Sequence, residues 1–136
     1  MRKALILFFL IFFSVVCFAQ EQDKKVYIPK NLDECFIELK KELSQKELEE
    51  FKNKGEDKVI EYHHSLGMWI RNNWGLWSGS RLAKYFNEIG VYHPDDMSSI
   101  ILDSLHRHLN GKDIKIEEQI KYYKDYWEKV KTKEKK

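Results

Sequence analysis

Three of the chain's four tryptophans, Trp69, Trp74 and Trp77, fall within Leu66-Gly67-Met68-Trp69-Ile70-Arg71-Asn72-Asn73-Trp74-Gly75-Leu76-Trp77, interleaved with one guanidinium and two amides. Each indole offers a broad apolar face with a single N–H donor. Arg71 supplies a planar fork that matches carboxylate or phosphate, and Asn72 and Asn73 carry donors and acceptors suited to sugar or peptide groups. Such a segment could line a pocket or a partner surface. A purely structural alternative is equally physical: the rings pack across a helix break while Arg71 and the asparagines satisfy exposed backbone carbonyls and the Asp95-Asp96 turn. The candidate binding set is Trp69, Arg71, Asn72, Asn73, Trp74 and Trp77, joined by Arg81 and by His93, Asp95 and Asp96.

Reaction chemistry finds less support. Ser78, Ser80, Ser98 and Ser99 lack the strand-turn-helix glycine setting of a hydrolase nucleophile. A glycosidase-like pair, for example Glu61 with Asp95 near the tryptophans, is chemically sensible because aromatic platforms hold sugars and burial raises an acid's pKa. Nothing in the sequence fixes their separation. His63 and His64 are adjacent, which on a helix points them about 100° apart and denies them one shared metal. His106 and His108 meet the same difficulty, and the chain has no His-x-x-x-His or Cys-x-x-Cys pair. Convergence of His64, His93, Asp95 and Asp96 on zinc or calcium would need help from the fold. We assign no catalytic residue, metal site or cofactor, and read His93, Asp95 and Asp96 as a helix cap with Arg71 or Arg81 as ion-pair partner.

The elements that would position these groups follow a leader. Met1-Arg2-Lys3 precedes the uncharged apolar run Ala4 to Phe18, and Cys17-Phe18-Ala19 presents small residues where a signal peptidase must fit. The run is shorter than the roughly 20 residues of a membrane-spanning helix and breaks into Gln20-Glu21-Gln22-Asp23. Residues 1–19 are thus expected to be a signal peptide, 20–30 an extended polar lead, 31–130 a helical domain and 131–136 a basic tail. The product is expected to be exported, periplasmic or secreted, with no membrane span once the leader is cut. Lipid anchoring at Cys17 is a minor alternative, since Val16 is bulkier than the residue that site requires.

Cleavage also resets the charge. The leader takes Arg2 and Lys3 from 24 basic residues, leaving 22 against 22 acidic ones. A balanced chain gives no general support to nucleic-acid binding, which needs clustered positive surface. Only Lys129 to Lys136 is locally basic, and it reads as a solvated helix end. Cys35 would be the one remaining cysteine, so no intramolecular disulfide can form; beside Phe36 and Leu39 it reads as a small buried hydrophobe.

Six stretches read as helical and none as a strand. Asn31 and Glu34, then Ser44 and Glu47, have capping-box spacing, and Leu32, Cys35, Phe36, Leu39 and Leu43 form one stripe. A third helix is expected from Asp57 to Asn73 with Val59, Tyr62, His63, Leu66 and Ile70 inward. Ser80 caps a fourth that ends at Gly90, and Pro94 suits the first turn of a fifth, bearing Met97, Ile100, Ile101, Leu105 and Leu109. Ile116, Ile120, Tyr123, Trp127 and Val130 mark a sixth. The expected fold is an all-α, compact single-domain bundle of five to six amphipathic helices.

The run Gly67 to Trp77, followed by Ser80-Arg81-Leu82 and Tyr92-His93-Pro94-Asp95-Asp96-Met97-Ser98, resembles an uncharacterised family of bacterial domains of unknown function, over about Tyr27 to Gly111. That resemblance implies no activity, cofactor or catalytic residue. The expected function is a non-catalytic binding or interaction module at the cell envelope, whose partner is an envelope protein or a cell-wall or saccharide ligand. A cell-wall or saccharide-directed hydrolase using acidic residues beside the tryptophans is the alternative; oligomeric state is left open.

Overall fold

A computed structural model describes residues 25–135. The expected signal peptide, residues 1–19, and the first part of the polar lead lie outside the described residues. From Val26 the chain runs extended into six α-helices: α1 (Leu32–Glu42), α2 (Gln45–Asn53), α3 (Met68–Asn73), α4 (Arg81–Glu88), α5 (Pro94–Leu109) and α6 (Ile116–Glu134). No strand occurs among the described residues, and none of their helices is long and apolar enough to cross a membrane. The fold is all-α, as the stripes require.

Local chemistry sets the helix starts. Asn31 Oδ1 accepts from the Glu34 amide at 3.0 Å, and Ser44 and Glu47 complete a reciprocal box. The Asn31 box is only half formed, because the Glu34 carboxylate turns back to the Lys30 amide and the Tyr27 hydroxyl, both at 2.9 Å. That diversion pins the lead onto α1. Ser80 caps α4 through the Ala83 amide. Gly75 and Gly79 bracket a short 3-10 turn with φ of 62° and 70°, a left-handed conformation that suits residues without a Cβ.

The expected third helix has the right span but an unexpected winding. Glu56–Tyr62 is a 3-10 helix and His63–Gly67 a π turn, and only Met68–Asn73 is α-helical. Tightening followed by widening lets one continuous segment lay Val59, Ile70 and Trp74 on the same core.

Helix α5 is the hub. It buries Met97, Ile100, Ile101, Leu102 and Leu105 against Leu32, Cys35, Phe36 and Leu39 of α1, Phe51 of α2, and Leu82, Ala83 and Phe86 of α4. Helix α6 differs from every other long helix: it packs on α5 yet contains no fully buried residue. It continues through Glu134, so most of the basic stretch expected as a tail is helical and exposed. Cys35 is wholly buried, and burial pushes its thiol pKa up.

Candidate functional site

The sequence-predicted residues gather around the first turn of α5, but in two different environments. His93 caps that turn, its Nδ1 accepting from the Asp95 amide at 3.2 Å, and Pro94 occupies the position where a missing N–H costs nothing. Asp95 and Asp96 then stand at the positive end of the helix dipole.

Beneath the turn lies a polar knot centred on Arg71, which is 6% exposed. Its Nε faces Asp95 Oδ1 at 3.0 Å, its Nη1 donates to Ser98 Oγ at 2.8 Å, and its Nη2 donates to the His63 carbonyl at 3.2 Å. Ser98 Oγ in turn donates a hydrogen bond to the Asp95 carbonyl at 2.9 Å. The π turn delivers that His63 carbonyl. Gly67 makes room, since a Cβ there would stand 3.1 Å from Nη1. His63 also approaches Asp95 Oδ1 at 3.7 Å, yet burial, helped by the Arg71 charge, lowers its pKa from 6.5 and outweighs the pull of Asp95. The ring beside this carboxylate is therefore predominantly neutral above pH 6.5, and the long contact counts for little as an ion pair.

Above the turn runs an open groove of about 500 Å³ between the Gly90–His93 loop and α6. His93 and Trp127 stack with ring centroids 5.4 Å apart, and exposed Trp77 meets the edge of His93 at 5.8 Å. Trp127 Nε1 donates to Asp96 Oδ2 at 2.7 Å. Burial raises the Asp96 pKa against that hydrogen bond, so part of the wall is a carboxyl poorly supplied with water. Tyr92, Tyr123 and Lys124 complete the aromatic and cationic lining.

The remaining predicted residues go elsewhere. Trp74 is fully buried, edge-on to half-buried Trp69, and belongs to the core. Asn73 Nδ2 donates to the Trp69 carbonyl at 2.9 Å, and Asn72 is exposed. Arg81 ties down the lead: Nε donates to the Ile28 carbonyl at 2.6 Å, Nη2 joins it, and the guanidinium lies over the Tyr27 ring. The Trp-rich string is thus divided among core, knot and groove instead of forming one face. Glu61 pairs with Lys54 at 2.8 Å, which lowers its pKa and spoils it as an acid. Among the described residues no group of three or more His, Cys, Asp or Glu side chains is arranged to hold a metal.

Trp127, Tyr123, Lys124 and Tyr92 are groove residues that sequence reasoning passed over. Trp127 was legible only as one member of the α6 stripe, because its hydrogen bond to Asp96 spans 31 residues. Residues 28–109 match a family described as a domain of unknown function (DUF6794). No curated protein and no solved structure matches the chain.

Proposed function

The chain belongs to the DUF6794 family, and from that premise and the groove we propose that it is an exported, non-catalytic binding module of the cell envelope. Its ligand is a ring-bearing cell-wall component, a saccharide first of all. One observation carries this reading: the stacked His93–Trp127 pair and exposed Tyr92 line an open groove whose wall also carries Asp96. Flat aromatic faces take the apolar face of a sugar ring, while a carboxyl in a dry wall accepts its hydroxyls. The leader that precedes the domain supports the address.

Against the hydrolase alternative weigh the ion pairs that engage its example carboxylates, Glu61 with Lys54 and Asp95 with Arg71. Trp127 lines the groove and serves as the reporter. Titrating the protein with peptidoglycan-derived oligosaccharides should change indole emission. Tyr92→Ala, at a side chain 74% exposed, should weaken that response at least fivefold without moving the melting temperature. Unchanged emission at millimolar saccharide would remove the reading, and turnover of the sugar would replace it with the hydrolase.

A further inference from the structure

We propose that α6 is a hinged arm, opening and closing over α5 as a unit while residues 28–109 stay folded, and that its closed position creates the groove. The gating of ligand rests on the binding reading above; the hinge does not. Four observations converge.

First, α6 has no fully buried residue along its 19 positions, whereas α5 beneath it buries nine. Burial of whole apolar side chains is what makes an element open only with the global core. Second, the face it covers is poorly matched to it. Ile116, Ile120 and Tyr123 pack against the apolar core, but Trp127 meets Asp96, Gln119 meets Ser104 and Tyr123 shares a cleft with Asp103, so closing also strips water from carboxyls. The pKa values of Asp96 and Asp103 rise by burial, and the Tyr123 hydroxyl is pushed up to about 12 for the same reason. Gln119 donates to Ser104 at 3.0 Å, but its own oxygen is buried without a partner.

Third, the entry to α6 is strained. Lys115, with φ of 53°, is the one non-glycine residue at positive φ among the described residues, and no side chain caps the helix it begins. Fourth, the family match ends at residue 109, the last residue of α5, so α6 lies wholly outside the matched segment. The segment Asn110–Lys115 between the two helices is the hinge.

The consequence for the site is direct. Gly90 to His93 and Asp96 form one wall of the groove, and Tyr123, Lys124, Trp127, Glu128 and Lys131 form the other. With α6 lifted there is no second wall. Gly90, whose φ of 90° suits a residue without a Cβ, lies against the flexible end of the Lys124 side chain.

Hydrogen exchange on the whole protein, read by peptide at increasing denaturant, tests the hinge without a ligand. Amides of α6, a helix only marginally stable once lifted, should share one opening at least about a hundredfold more frequent than that of α5, with a denaturant dependence greater than zero but well below that of global unfolding. Trp127→Phe, which keeps a ring but loses the bond to Asp96, should speed α6 exchange about tenfold and leave the α5 core unchanged. Exchange of α6 together with α5, or equal acceleration of both by Trp127→Phe, would overturn the proposal. Either result leaves saccharide titration free to stand or fall separately.

Discussion

Asp95 and Asp96 are consecutive on one helix turn, yet they serve opposite regions. About 100° of helical rotation sends Asp95 toward Arg71 and Asp96 toward Trp127. The Arg71 knot is made wholly of residues from the family segment, and each nitrogen of the guanidinium has a partner already present. In the groove, partners are shared with a helix outside the matched segment, and Tyr92 beside the stacked His93–Trp127 pair is left exposed. A side chain whose bonding capacity is filled holds structure; one with a free face can hold a ligand.

The largest break in that comparison should come from Arg71→Met. It leaves Asp95, Ser98 and the His63 carbonyl without their cation, and because Asp95 keeps some solvent the loss should be about 2–4 kcal/mol in urea unfolding. A loss below about 1 kcal/mol would mean that the knot is not the structural region.

Acidity should sharpen the contrast next. The folded pKa of His63 lies below 6.5, so native protein resists a proton that the unfolded chain accepts. Its contribution to stability is fully present above pH 6.5 and is lost as pH falls from there through the folded value. His63→Gln should flatten this limb of the stability profile, measured by denaturant midpoints between pH 7 and pH 5. An unaltered slope would dismiss His63 as its source.

The smallest effect belongs to Trp77→Ala. This ring is 59% exposed and touches His93 only at its edge, so stability should change by less than about 0.5 kcal/mol. Saccharide response should nevertheless fall, because the exposed ring extends the platform beside His93. A large stability loss would move Trp77 from the groove's margin into the scaffold.

Legibility in the sequence followed the reach of each interaction. Ser44 with Glu47, and Pro94 after His93, could be read because capping acts across three residues or fewer. The Arg71–Asp95 pair was visible as a suggestion, since a lone arginine in an apolar segment needs an anion. The π turn at His63–Gly67 was not, for it depends on packing the long third segment against α5 and on admitting Arg71 beside Gly67. Nor could the string Trp69 to Trp77 announce that Trp74 would go to the core and Trp77 to the surface. They stand three positions apart, but the left-handed turn at Gly75 interrupts the helix that would have aligned them.

The sequence alone determined that this chain is helical, where most helices begin, and which stripes seek a core, because those are properties of neighbours along the backbone. Tertiary structure alone decided that Asp96 meets Trp127, that Arg71 is enclosed, and that the last helix lends the groove a wall. These are encounters between segments tens of residues apart, and periodicity carries no information about which stripes meet or at what angle they cross.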